Sequence, residues 1–117
     1  MNSSELIKTL KKDLNQSKSK FVSIKFFRRN LSSYWVWICV LERYFNNNIN
    51  NYIENIIKEI PSEHASRLTL FKIIDDAVQK RYLTKELNKN DKRKFNLLPT
   101  SQTINEFEEW AKVFKNL

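Results

Sequence analysis

The stretch that decides the fold runs from residue 62 to residue 100 and reads SEHASRLTLFKIIDDAVQKRYLTKELNKNDKRKFNLLPT. Ser62 can cap a helix that has Glu63 in its first turn and continues to about Arg81. Two short strand-like runs follow at 84–87 and 94–98. The stretch therefore predicts a helix over 63–81 and then a hairpin. The apolar residues of that helix recur at the spacing of one face and are Leu70, Ile73, Ile74, Ala77 and Val78.

The connection between the two strands is basic and contains no glycine. The whole chain of 117 residues has none, so turns with a positive φ must use residues such as Asn88, Asn90 and Asp91. Asp91 can hold Arg93 in an extended pose through a charge-assisted hydrogen bond. The connection also carries three lysines that can face an anionic backbone, namely Lys89, Lys92 and Lys94.

A second helix precedes this stretch. It shows one apolar face and ends before Pro61, because a residue that precedes proline is disfavoured in the α region. Two helices joined by a very short turn form a helix-turn-helix, and a basic hairpin directly after the second helix is a wing. The sequence thus predicts a mainly α protein with a small β-hairpin wing, a winged helix-turn-helix. The apolar face of this preceding helix consists of Tyr52, Ile53, Ile56, Ile57 and Ile60.

One domain should cover residues 1–117: a basic, helical segment at 1–30, the helix-turn-helix and wing at 31–100, and a helix at 101–117. Ser3 or Ser4 can cap the first helix, whose apolar side is Leu6, Ile7, Leu10 and Leu14. The segment 21–27 is ambiguous between strand and helix.

Two more helices complete the chain. Ser32 or Ser33 can cap a helix through YWVWICVLERYF, which is apolar almost all round and is expected in the centre of the fold. Thr100 or Thr103 can cap the last helix, over 102–116, and its apolar surface exceeds one contact face.

The charge of the chain is positive and uneven. The net charge is +8, and residues 1–30 hold eight basic and two acidic side chains, whereas residues 80–94 hold seven and two. Such surpluses suit a polyanion or an anionic membrane surface, although a solvated surface is the plain alternative. The longest apolar run is far shorter than a membrane span, and no secretory signal is evident. We therefore expect a cytoplasmic protein that has no membrane as a partner.

No group of residues supports catalysis. His64 and Cys39 are each the only residue of their kind, so neither a Cys/His zinc site nor a His-dependent triad can be assembled within one chain. The absence of glycine excludes the phosphate-binding loop and dinucleotide fingerprints. We expect neither an enzyme nor a cofactor.

The sequence resembles the MarR-type winged-helix regulators in SRLTLFKIIDDAVQKRYLTKE at 66–86 and NDKRKFNLLPT at 90–100. The likeness lies in a Ser-Arg-x-Thr helix start, a wing with Asp-x-Arg, and a Thr that caps the next helix. The resemblance implies that Arg93 enters the minor groove with Asp91 steering it. Two positions depart from the pattern: Arg81 stands where the family commonly has glycine, and Pro99 replaces a leucine.

The expected function is that of a transcriptional regulator that binds double-stranded DNA in a sequence-specific manner. Arg67, Leu68 and Lys72 would read the major groove, while the wing lysines anchor phosphates and His64 lies near the backbone. The DNA-binding candidates are Ser62, His64, Ser66, Arg67, Leu68, Thr69, Lys72, Lys89, Asp91, Lys92, Arg93 and Lys94.

The N- and C-terminal helices could pair two protomers into a homodimer. Two other readings stay open. The winged helix could be a protein-interaction module in a phage or replication complex, or the basic N-terminal helix could bind RNA or a membrane surface.

Overall fold

The computed structural model describes residues 2–16, 20–47 and 51–114. Within these residues it is mainly helical with one small antiparallel sheet, as the sequence predicts, and it is compatible with a winged helix. The elements in chain order are α1 (Ser3–Gln16), α2 (Val22–Phe27), α3 (Leu31–Phe45), α4 (Ile53–Glu59), α5 (Arg67–Gln79), β1 (Leu83–Leu87), β2 (Phe95–Pro99), α6 (Ser101–Ala111) and a 3-10 turn (Lys112–Phe114).

The hairpin forms where the sequence predicts it: β1 starts one residue earlier than predicted and ends where predicted, and β2 is displaced by one residue towards the C-terminus. Leu83 pairs with Pro99 and Leu87 with Phe95. A short third segment lies on the other edge of β2, because Tyr52 forms a bridge with Asn96, and the Leu97 amide donates to the Asn51 carbonyl at 2.8 Å. This pairing joins the start of α4 to the hairpin, and sequence patterns did not reveal it.

The core lies between α2, α3, α4, α5 and the sheet. The predicted apolar face of α5 is buried, with Leu70 1% and Ile74 0% exposed. The expectation that α3 lies in the centre of the fold is wrong for one of its sides, since Leu31 is 56% and Phe45 44% exposed. Trp37 is buried, whereas Tyr44 is 37% exposed. The helix packs against the core on one side only.

The predicted start of α5 is four residues too early. Residues 61–64 form a turn in which the His64 amide donates to the Pro61 carbonyl at 2.9 Å, so Ser62 and Glu63 lie outside the helix. Ser66 is the N-cap, and its side chain accepts from the Thr69 amide. Both serines suit a cap, but the turn after Pro61 leaves only the second one at a helix start.

Other helix starts also differ from the predicted caps. Asn30 caps α3 by accepting from the Ser33 amide at 2.8 Å, and Asn2 accepts from the Glu5 amide ahead of α1 at the same distance. The ambiguous segment 21–27 is helical, as α2. The helix has no side-chain cap of its own; instead Glu106 of α6 accepts from the Ser23 amide at 2.8 Å.

The chain leaves α5 through a left-handed corner at Arg81, whose φ is +65°. The Tyr82 amide donates to the Ala77 carbonyl at 2.9 Å and the Arg81 amide to the Val78 carbonyl at 3.1 Å. These two bonds define a Schellman end, which usually holds glycine at the left-handed position. The corner is therefore kept with arginine in place of glycine.

The start of α6 supports this corner. The Thr100 hydroxyl donates to the Arg81 carbonyl at 2.8 Å, and the Thr103 hydroxyl donates to the Tyr82 carbonyl at 2.6 Å. Thr100 holds the N-cap position of α6 but makes no side-chain cap bond within that helix. Its hydroxyl instead stabilises the corner. The helix itself ends at Ala111, earlier than predicted, and residues 115 and 116 lie outside the described part of the chain.

Replacing Arg81 by glycine should give a more stable protein than replacing it by alanine, by about 1 kcal/mol, because only residues with a Cβ are strained in the left-handed region. Both variants remove the guanidinium group, so the comparison isolates the backbone. Urea unfolding followed by circular dichroism measures the difference. An alanine variant as stable as the glycine variant would contradict a left-handed Arg81.

Candidate nucleic-acid interface

The exposed side of α5 presents a ridge of polar and apolar side chains. Leu68 is 66% exposed, and Thr69 and Lys72 are also exposed. At 100° per residue, Leu68 lies opposite the buried face, with Arg67 on one side of it and Thr69 on the other. We call Leu68, Thr69 and Lys72 the α5 ridge. Its N-terminal position on the helix matches the prediction.

Ser66 is committed to the helix start. Its oxygen accepts from the Thr69 amide at 3.1 Å, and its hydroxyl donates to the Thr69 hydroxyl oxygen at 2.9 Å. A side chain with both of these bonds shapes the first turn of α5 and fixes the Thr69 rotamer. Ser66 is thus a structural neighbour of the α5 ridge.

Arg67 is turned towards α4. Its guanidinium forms an ion pair with Glu54 and lies over the Phe71 ring, 5.0 Å from the centroid. The hydrogen bond from Arg67 lowers the pKa of the Glu54 carboxyl below its ordinary value. The structure therefore separates Arg67 from the α5 ridge, with which the sequence grouped it.

His64 and Ser62 lie in the turn ahead of α5. The His64 ring packs beside Trp35 of α3 at a centroid distance of 5.9 Å, and the His64 carbonyl accepts from the Ser32 hydroxyl at 3.0 Å. Ser62 is exposed on the same turn. Neither residue belongs to α5, so the structure places them beside the helix start.

The tip of the hairpin is folded around Asn88. Its side-chain oxygen accepts from the amides of Asn90 at 2.8 Å and Asp91 at 2.9 Å. The Asn88 amide donates to the Lys94 carbonyl at 2.9 Å, and the Lys94 amide donates to the Asp91 carbonyl at 3.0 Å. Asn88 is only 4% exposed. A buried asparagine therefore organises the turn.

The predicted contact between Asp91 and Arg93 is present. Asp91 Oδ1 accepts from the Arg93 amide and from Arg93 Nε, each at 3.1 Å, and Oδ2 accepts from Nη2 at 3.3 Å. The Arg93 side chain is nevertheless 89% exposed. Arg93 therefore projects from the tip while its inner edge is held by Asp91.

The three wing lysines have different settings. Lys89 and Lys92 are exposed at the tip. Lys94 is also exposed, but its ammonium lies over the Tyr52 ring, 4.5 Å from the centroid. This cation–π contact turns the Lys94 side chain from the tip loop towards Tyr52, in the short segment that precedes α4.

Two open grooves flank α5. The wing-side groove, of about 450 Å³, lies between α4, α5 and the hairpin and includes Phe71, Lys58 and Arg93. The turn-side groove, of about 550 Å³, lies between α5 and the start of α3 and includes Arg29, Lys72 and Asp76. The α5 ridge stands between the two grooves.

One ion pair links α5 to each side. Lys85 of β1 donates to Asp75 at 3.2 Å, and Arg29 donates to Asp76 at 3.4 Å. The adjacent aspartates thus point to different neighbours, as adjacent helical residues should. Sequence reasoning missed Arg29, Lys85 and Glu54 as members of this surface, although the basic surplus of residues 1–30 contained a signal for Arg29.

Metal binding, thiol chemistry and membrane insertion are three other properties on which the described parts of the chain bear. Among residues 2–16, 20–47 and 51–114, no three His, Cys, Asp or Glu side chains are arranged to hold a metal ion. Cys39 is buried, and burial, followed by the charge of Glu59, raises the pKa of its thiol to about 12. None of the helices described has the length and apolar character needed to span a membrane.

Comparison with known proteins gave no relative. No protein-family model matches the sequence, and searches of curated proteins and of solved structures returned no match.

The pKa of the Asp91 carboxyl should lie below its ordinary value of 3.8, because the hydrogen bonds from Arg93 favour the ionised form. A lowered folded pKa means that this contact contributes stability above pH 3.8 and loses it as the pH falls through the folded pKa. Carboxyl ¹³C shifts measured against pH would give the midpoint.

Arg93→Gln should raise the Asp91 midpoint only part of the way to its ordinary value, because the backbone amide of residue 93 still donates to Asp91 and the charge of Lys94 remains. Lys92→Gln, which removes a neighbouring charge, should leave the midpoint as it is in the unmodified protein. An unshifted Asp91 in the unmodified protein would show that the carboxyl does not hold Arg93 in solution.

Proposed function

We propose that this chain is a winged helix-turn-helix protein of MarR type, which binds double-stranded DNA in a sequence-specific manner as a transcriptional regulator. The observation that carries the proposal is Arg93, 89% exposed and held by Asp91 at the tip of a basic hairpin. That hairpin follows α5 through the corner at Arg81. The order of α3, segment 51–52, α4, α5, β1 and β2 supports the winged-helix assignment.

The α5 ridge suits the major groove. A helix fits this groove, and its N-terminal half meets the base edges. Lys72 can donate to guanine acceptors or phosphates, while Leu68 and the Thr69 methyl can contact thymine methyl groups. Ser66 positions the ridge and does not read bases. Arg67 contributes to DNA binding only after its guanidinium leaves Glu54.

The hairpin suits the neighbouring DNA backbone and minor groove. Arg93 can enter a narrow minor groove, where the negative potential favours arginine. Lys89 and Lys92 can contact phosphates and release counterions. The contact with Asp91 limits the conformations of Arg93 before DNA binds, which reduces the entropy lost on binding.

Binding to a random duplex should weaken steeply as the salt concentration rises. Arg93→Gln should weaken binding by about three- to tenfold and make the plot of log binding constant against log salt concentration shallower by about 0.9. Fluorescence anisotropy with a labelled duplex measures both quantities. Lys8→Gln on α1 is the matched control, because it removes the same charge from a helix outside the proposed interface.

A folded protein that binds no duplex at low salt would refute the proposed function. Equal losses for Arg93→Gln and Lys8→Gln would show that net charge, and not the hairpin, governs binding. A loss confined to Lys8→Gln would favour contact of a polyanion with the N-terminal helix.

A second candidate function is protein binding through the outer side of α3. Leu31, Ile38 and Phe45 are 56%, 41% and 44% exposed and follow one another along that side. A row of exposed apolar residues is typical of a protein contact. This reading predicts a stable complex with a protein partner that Ile38→Glu abolishes while duplex binding is unchanged.

We also propose a homodimer that involves α1. Asp13 anchors α1 to the body, since it accepts from Arg28 at 2.9 Å and from the Trp110 indole. Leu6, Ile7 and Leu10 are 39%, 55% and 45% exposed on the same helix. A second copy could cover this apolar side around a two-fold axis, with the α6 helices adjacent.

Light scattering should report twice the mass of one chain, and Leu6→Glu with Leu10→Glu should halve it, because buried carboxylates would be unpaired in the dimer. Both residues are exposed within one chain, so the variant protomer should keep its fold by circular dichroism. A single-chain mass for the unmodified protein at micromolar concentration would contradict the dimer.

A further inference from the structure

Two cations share one aromatic ring at the C-terminal end of α5. The Arg29 guanidinium lies 3.9 Å from the Phe26 ring centroid, and the Lys80 ammonium lies 5.1 Å from it. Phe26 is 7% exposed and packs against Tyr82 at a centroid distance of 5.3 Å. The ring is therefore fixed, and it gives both cations a defined place on the surface.

This pair of cations has little internal compensation. Arg29 donates to Asp76 at a long 3.4 Å, and the two side chains are 36% and 39% exposed. Exposed pairs of this kind contribute little stability. Arg29 can therefore exchange Asp76 for an external anion at low cost, and Lys80 contacts the same Phe26 ring.

Arg29 lines the turn-side groove, and Lys80 is linked to it through the Phe26 ring that both cations contact. Arg29, Lys72 and Asp76 line that groove, whereas Arg93 and Lys94 line the wing-side groove. A helix in the major groove of DNA, about 12 Å wide, has one phosphate backbone on each side. The wing accounts for one of these backbones and leaves the other without a protein contact.

We propose that the turn-side groove binds the second DNA backbone, with Arg29 and Lys80 as phosphate contacts and Asp76 as the internal anion that the phosphate replaces. The inference rests on the proposed DNA binding and extends it, because it assigns contacts on the flank of α5 opposite the wing. Duplex DNA would then be held on both sides of the α5 ridge.

The test compares Arg29→Gln/Lys80→Gln with the matched double variant Lys8→Gln/Lys11→Gln, which removes two charges from α1. Anisotropy with a random duplex across a salt series measures the slope. Each phosphate contact that is lost should lower the slope by about 0.9. The salt dependence of the Arg29/Lys80 variant should therefore be shallower than that of the unmodified protein by about twice that value. The salt dependence of the α1 variant should change much less.

A second variant tests the same site without removing a cation. Asp76→Asn should tighten duplex binding by about two- to fivefold, because Arg29 no longer has to leave a carboxylate. The Arg29→Gln/Lys80→Gln variant loses both cation contacts to Phe26, and thermal melting would reveal whether that loss impairs folding. Asp76→Asn keeps both contacts and tests the site even in that case. Asp75→Asn is the matched control, because it removes a carboxylate from the same groove but releases Lys85 and not Arg29, and it should therefore tighten binding less.

The outcomes separate this inference from the proposed function. If the unmodified protein binds DNA and Arg93→Gln weakens it, but the Arg29/Lys80 slope is unchanged or Asp76→Asn has no effect, the turn-side contact is wrong and DNA binding stands. If no duplex binds at all, the proposed function fails and this inference fails with it.

Discussion

The left-handed corner at Arg81 and Tyr82 is the constraint on which the rest of the structure depends. The Tyr82 carbonyl accepts from the Thr103 hydroxyl at 2.6 Å and from the Thr100 amide at 3.1 Å, so α5, the hairpin and α6 meet at this point. Buried backbone groups that lack partners are costly, and the two threonines supply those partners. The direction of the hairpin relative to α5 follows from this corner.

This chain has no glycine, and it forms its tight turns in two other ways. Arg81 takes the positive φ at +65°, and Asn47 does so after α3 at +53°. At the hairpin tip, the buried Asn88 side chain shapes the turn through amide contacts. Polar residues thus form the turns in which glycine is usually found. The hairpin that presents Arg93 depends on both devices.

Local signals in the sequence were sufficient for the elements with strong periodicity. The buried face of α5, the two strands and the bond between Asp91 and Arg93 all involve residues close together in the chain. The helix starts were harder, because Ser62 and Ser66 are equally good caps and only the turn after Pro61 separates them. The cap of α2 comes from Glu106, 83 residues from Ser23, and no local pattern reports such a contact.

On the surface around α5, too, the features set by residues close together in the chain were predicted, and those set by distant residues were not. The ridge followed from helical spacing, but the partners of its neighbours did not. Glu54 meets Arg67 across 13 residues and Asp76 meets Arg29 across 47, so these ion pairs exist only once α2, α4 and α5 are packed together. Each pair sets a cation beside α5 with an internal anion. DNA would have to compete with those carboxylates, which favours sites that offer well-placed acceptors.

The most direct test of DNA binding by α5 and the hairpin is a chemical-shift titration. The ¹⁵N-labelled protein would be titrated with an unlabelled duplex of about 30 base pairs and followed by amide spectra. The account predicts shifts concentrated at Leu68, Thr69, Lys72 and the tip residues 89–94, with α1 little changed. Shifts confined to α1, or none at low salt, would contradict it.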